Sequence, residues 1–134
     1  GTALGDPIEC GSVRAVFKAV STNLHIGSGK THMGHLESGA GAIGMLKMIC
    51  SLAHAAFPAN NHLRTLNAHI EVAGFPVAIN NEISDIASEY HYGGCNSFGF
   101  GGTNSRCDLW CRRLHRVLDT PCLTSGGDPV LLRA

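Results

Sequence analysis

Between Leu36 and His54 the apolar residues Ile43, Leu46, Ile49 or Cys50, and Ala53 recur at helical spacing, while Gly39, Ala40, Gly41, Ala42 and Gly44 crowd the first half of the same stretch. Exposed to solvent, such a helix would lose roughly 1 kcal/mol for each glycine relative to alanine. The stretch is therefore expected to be a buried helix that other backbone approaches closely. With 44% hydrophobic and 15% charged residues, the 134-residue chain has the composition of a globular domain, or part of one, rather than of a disordered segment.

Around this helix the other elements are shorter. Asp6, Pro7 and Glu9 form a helix start with a capping-box pattern, so a helix is expected from Pro7 to Val20 with Ile8, Val13, Val16, Phe17 and Val20 buried. His25 to Lys30 suits a short strand. Pro58 to Leu66 reads as irregular, with Pro58, Asn60 and Asn61 as breakers. Phe75 to Ile79 and Gly94 to Phe98 are expected as strands, and Gly99 to Asn104 as the turn into a last strand from Ser105 to Cys111. On that strand Cys107, Leu109 and Cys111 should share one face, with Arg106, Asp108 and Trp110 on the other.

Ten basic and ten acidic residues cancel, so no electrostatically steered partner such as nucleic acid is indicated. Six cysteines without a disulfide framework favour a reducing intracellular compartment, cytoplasm or plastid. No apolar run approaches the ~18 residues of a membrane span. The chain begins on Gly1 without a leader, and is expected to be an internal piece of a longer protein.

Three short motifs carry the chemistry. They are Gly1-Thr2-Ala3-Leu4-Gly5-Asp6-Pro7-Ile8-Glu9, Lys30-Thr31-His32-Met33-Gly34-His35-Leu36-Glu37, and Asn96-Ser97-Phe98-Gly99-Phe100-Gly101-Gly102-Thr103-Asn104. In this order and at these separations they resemble the C-terminal part of a β-ketoacyl synthase, the condensing domain of polyketide and fatty acid synthases. The resemblance covers residues 1–113, and leaves 114–134, with Pro121, Gly126, Gly127 and Pro129, as a post-domain linker. It implies the C-terminal portion of a thiolase-like α/β fold, layered helices around mixed sheets with the Leu36 to His54 helix in the middle. Gly44 and the Leu36-Glu37 step lean towards modular polyketide synthases.

The resemblance also assigns roles. His35 is one of two histidines that, with a cysteine nucleophile, run decarboxylative Claisen condensation of an acyl-cysteine thioester with a malonyl thioester; a near-neutral imidazole suits a developing enolate or oxyanion. Lys30 supplies a buried charge that orients the site. The Phe100 amide forms half of the oxyanion hole and its ring gates the acyl pocket, while Gly99, Gly101, Gly102 and Thr103 let backbone approach the thioester. Thr2 binds the pantetheine arm. The imidazole at 35 and the amide at 100 are expected to converge on the same thioester carbon. The nucleophile and the other histidine belong upstream of Gly1, so the isolated chain is expected to be inactive. Implied partners are an acyl carrier protein bearing phosphopantetheine, the malonyl and acyl thioesters, the rest of the domain and a second copy; no cofactor binds directly. His32 and Gly29 depart from the usual asparagine and apolar residue at their positions.

A synthase-like partner protein without a nucleophile is the alternative function. A weaker one is a nucleotide-binding loop at Gly27-Ser28-Gly29-Lys30-Thr31, but Leu24 stands where that motif needs glycine and the Met33-Gly34 turn interrupts the helix it needs. Asp119-Thr120-Pro121-Cys122 imitates a nucleophile motif without a helix start to activate the thiol. Cys107, Cys111 and His115 would suit a metal only on a helix, and strand alternation there argues against one. Glu37 is expected to cap the central helix with its carboxylate.

Overall fold

The computed structural model describes residues 2–20 and 22–112. The stretch read as a post-domain linker, 114–134, lies outside them, and with it His115 and the Asp119 to Cys122 sequence. In chain order the elements are α1 (Gly5–Phe17), β1 (Leu24–His25), α2 (Lys30–Met33), a 3-10 turn (Glu37–Gly39), α3 (Ala40–His54), β2 (Ala56–Phe57), β3 (Val77–Ala78), β4 (Ser84–Asp85), β5 (Tyr90–Phe98) and β6 (Asn104–Arg112). They fall into two units, Gly1–Ala40 with Phe57–Ser84, and Gly41–Ala56 with the chain from Asp85 onward.

In the first unit α1 starts earlier than the Asp6 to Glu9 pattern suggests. Thr2 Oγ1 accepts the Gly5 amide at 2.8 Å and Asp6 Oδ1 accepts the Thr2 amide at 3.3 Å, a reciprocal pairing that satisfies two orphan donors. The helix ends at Phe17 rather than Val20. Val13 and Phe17 are half-buried, but Ile8 and Val16 are exposed, contrary to the apolar seam expected of them. What ties α1 down is Arg14, which donates to the Ala73 carbonyl at 2.8 Å and pairs with Glu71 at 2.7 Å. β1 and β3 are parallel, in register Leu24 with Val77 and His25 with Ala78. Both are shorter than the expected strands. His25 is a satisfied structural histidine, stacked on Phe57 at 4.3 Å between ring centroids and paired through Nδ1 with Asn80 Oδ1 at 3.1 Å.

The second unit is α3 packed on an antiparallel hairpin. β5 and β6 pair from Tyr90 with Arg112 through to Phe98 with Asn104, a longer ladder than the sequence suggests. Their alternation is as expected: Cys107, Leu109 and Cys111 are half-buried, while Arg106, Asp108 and Trp110 are exposed. His91, Gly93, Cys95 and Ser97 form the corresponding inner face of β5 and have less exposure than their neighbours Tyr90, Tyr92 and Gly94.

Glycine decides how α3 sits on this face. A Cβ on Gly41 would come within 2.7 Å of Ser97 Oγ, one on Gly44 within 2.8 Å of Cys95 Sγ, and one on Gly93 within 2.8 Å of the Met48 side chain. The packed stripe is therefore Gly41, Gly44, Met48 and Leu52, with Ser51 and Leu52 buried. Ile43, Leu46, Ile49 and Ala53 lie on the opposite side of the helix, and Leu46 and Ile49 are exposed. The hydrophobic period marks the side that carries side chains, whereas the close contact forms where side chains are missing.

This contact makes a specific prediction. Gly44→Ala should destabilise the chain by about 1–3 kcal/mol through overpacking, although alanine is the better helix former. In a Cys95→Ala background the same substitution should become neutral or stabilising. Urea unfolding of the four variants of this cycle measures it; equal effects in both backgrounds would mean that Gly44 is not shaped by Cys95.

Candidate functional site

His35 follows a break in the chain that only glycine makes cheaply. α2 is a single turn, closed by the Gly34 amide on the Lys30 carbonyl at 2.8 Å, and Gly34 itself has φ 75° and ψ −175°. That region is essentially closed to residues with a Cβ. The chain turns there and presents His35, exposed, ahead of the 3-10 turn. The Glu37 amide donates to His35 Nδ1 at 2.9 Å, with Glu37 at φ 46°. Because that nitrogen accepts, the proton of the neutral ring is on Nε2, and the imidazole presents one donor of defined identity.

The neighbours of His35 are placed by the same turn. Ser28 Oγ accepts the Lys30 amide at 3.2 Å, and the Ser28 carbonyl accepts the Thr31 hydroxyl at 2.9 Å. Lys30 is exposed in this segment. His32 is exposed too and pairs with Thr31 Oγ1 at 3.0 Å. Glu37 does not cap with its carboxylate; its backbone amide is the group in use, on His35. Thr2, in the same unit, accepts the Gly5 amide at the start of α1, which leaves its hydroxyl proton free to donate.

The Phe100 turn belongs to the second unit and closes the β5–β6 hairpin. Gly99 donates to the Thr103 carbonyl at 2.8 Å and Gly102 to the Gly99 carbonyl at 2.9 Å, with Gly102 at φ 89°. A Cβ on Gly99 would meet the Thr103 carbonyl oxygen at 2.7 Å, so the tight closure requires glycine at that position. Phe100 is fully exposed, and among the described residues no acceptor takes its amide. Gly101 and Gly102 would meet nothing with a Cβ, so the turn is open on that side.

Comparison with known proteins then decides the family. The family described as Beta-ketoacyl synthase, C-terminal domain, matches residues 1–64. A phenolphthiocerol/phthiocerol polyketide synthase of Mycobacterium tuberculosis is 37% identical over 110 residues, 78% of this chain and 6% of that protein. The 6-hydroxymellein synthase of Talaromyces verruculosus is 38% identical over 130 residues, 95% of this chain and 5% of that protein. Ketosynthase twelve of the bacillaene polyketide synthase from Bacillus amyloliquefaciens superposes with a TM-score of 0.74 at 33% identity, covering 81% of this chain and 20% of that structure. The chain is a C-terminal ketosynthase segment. It is related to the condensing domains of polyketide and fatty acid synthases, has their mixed α/β fold with a central helix packed against a sheet, and spans only a small share of each relative.

Within this ketosynthase segment the imitations of other motifs separate by geometry. Lys30 and Thr31 open a four-residue helix that stops at Gly34, so no helix of useful length follows the glycine loop to hold a phosphate. Cys107 and Cys111 lie on one strand face, and among the described residues no three His, Cys, Asp or Glu side chains are grouped to share a metal ion. Nor is any described helix long and apolar enough to cross a membrane. Burial first, then the charges of Asp6 and Glu9, pushes the Cys10 thiol up; burial first, then Cys107, pushes the Cys95 thiol up. Both resist forming the thiolate that a nucleophile needs. One residue escaped the motif reading altogether. Asn60, read as a chain breaker, is among the few buried polar side chains, and only a demand for buried hydrogen-bond partners would have singled it out.

Proposed function

We propose that this segment supplies part of the condensing site of a β-ketoacyl synthase, in a polyketide synthase, with sequence before Gly1 supplying the cysteine nucleophile and the first histidine. The acyl group is carried on the cysteine sulfur as a thioester. The malonyl thioester, presented on the phosphopantetheine arm of an acyl carrier protein, loses carbon dioxide, and the electron pair of the broken C–C bond passes into an enolate. His35 Nε2–H stabilises the developing enolate oxygen, with the other histidine beside it. The enolate carbon attacks the acyl carbon, the Phe100 amide stabilises the oxyanion of the tetrahedral intermediate, and its collapse expels the cysteine thiolate. Lys30 orients the site, Thr2 holds the pantetheine arm, and Gly99, Gly101, Gly102 and Thr103 admit the thioester.

The observation that carries this reading is the bond from the Glu37 amide to His35 Nδ1, which leaves Nε2 as the donor. The apolar residues exposed on α1 and α3, Ile8, Val16, Leu46 and Ile49, suit cover by the rest of the domain and by a second copy. The cysteines among the described residues are unbridged, which suits a reducing compartment, cytoplasm or plastid. Incubated with radiolabelled malonyl thioester, the isolated chain should release carbon dioxide at background rate. Clear turnover would contradict a nucleophile and first histidine supplied from elsewhere.

A further inference from the structure

We infer that Asn60 is the positioning residue of the His35 turn. Asn60 is 7% exposed, and its side chain ties together three separate stretches of backbone. Its Oδ1 accepts the Ser28 amide at 3.0 Å, and its Nδ2 donates to the carbonyls of Ile26 and Asn80, both at 3.2 Å. Its own amide donates to the Asn80 carbonyl at 2.8 Å. Both side-chain donors and a carbonyl lone pair are thus in use, so the orientation of the amide is determined.

The place of this knot gives it a role. Ile26 follows β1 directly and Asn80 lies two residues beyond β3, so Asn60 joins the carboxyl ends of two parallel strands. α/β sheets build their sites at these ends. The β1–β3 ladder reaches as far as the Ile26 amide, on the Ala78 carbonyl at 2.9 Å. Asn60 supplies what the ladder does not. From Ser28 the constraint passes to Lys30 and Thr31 through the Ser28 hydroxyl and carbonyl, then through the turn of α2 to Gly34 and His35. Loss of Asn60 would remove the side-chain bonds to the Ile26 carbonyl and the Ser28 amide and loosen the base of the turn that carries His35.

This inference rests on the proposed role of His35, and the test separates the two. In the complete condensing domain containing this chain, Asn60→Leu, Asn60→Asp and His35→Ala are compared in two readouts. One is the yield of acyl-cysteine formed from an acyl thioester, which counts folded sites; the other is the rate of condensation with a malonyl thioester per acylated site. Asn60→Leu should keep acylation and lower the condensation rate by about 100-fold, the scale of a misplaced catalytic group. Asn60→Asp, which keeps the acceptor for Ser28 but sets an oxygen against the Ile26 and Asn80 carbonyls, should lose at least as much. Parallel loss of acylation and condensation, or an unchanged condensation rate in either Asn60 variant, would each overturn the assignment. If His35→Ala itself condenses normally, the role of His35 fails and the inference fails with it.

Discussion

Replacing His35 by alanine in the complete domain is expected to lower the condensation rate by about 10²–10⁴-fold, the range for removing a positioned acid–base group. The expectation follows from the turn rather than from histidine in general. Gly34 places the ring beyond a single-turn helix, and the Glu37 amide occupies Nδ1, so the group lost is a specific Nε2–H donor. His35→Gln, which keeps a side-chain N–H, should retain more activity than His35→Ala. Acyl-cysteine formation, followed by mass spectrometry, should survive in both variants. Quenched-flow measurement of product from preformed acyl-enzyme tests this, and an unchanged rate in His35→Ala would remove the imidazole from the chemistry.

The largest stability effect is expected at Leu52. Truncation to alanine should cost about 2–5 kcal/mol, the range for emptying a buried leucine site. That is a large part of the ~5–15 kcal/mol available to an ordinary domain. Among the described residues the buried hydrophobic side chains are Leu52, Ala55 and Phe75, and Leu52 lies against Gly93 on the inner face of the hairpin. Urea unfolding followed by circular dichroism should show a lower midpoint with an unchanged slope. Leu46→Ala, on the exposed side of α3, should shift the isolated chain by no more than about 0.5 kcal/mol. A Leu46 effect equal to that of Leu52 would contradict the packing described for α3.

The parts of the fold that were legible in the sequence are those where side-chain type follows local geometry. Alternation from Cys107 to Cys111 marks the faces of β6, and the glycines from 99 to 102 mark the turn before it. Gly34 ahead of His35 marks the break that ends α2. The packed face of α3 was not legible, because its contact depends on absent side chains at Gly41 and Gly44 while the apolar period points to the other side. The start of α1 was misplaced because Thr2, not Asp6, accepts the first free amide. Asn60 was invisible for a further reason: an asparagine beside Pro58 and Asn61 resembles any loop, and its value lies in distant backbone at Ile26, Ser28 and Asn80.

The central claim is that His35 and the Phe100 amide serve the two reactants of one condensation, His35 on the enolate oxygen of the malonyl thioester and Phe100 on the oxygen of the acyl carbon that the enolate attacks. A crystal structure of the complete condensing domain, acylated on its cysteine and soaked with a non-decarboxylating malonyl thioester analogue, measures this directly. The expected result is the Phe100 amide about 2.7–3.1 Å from the acyl oxygen, and His35 Nε2 at similar range from the analogue's thioester oxygen. The claim would be contradicted by a structure in which the two groups lie on opposite sides of the domain with solvent between them.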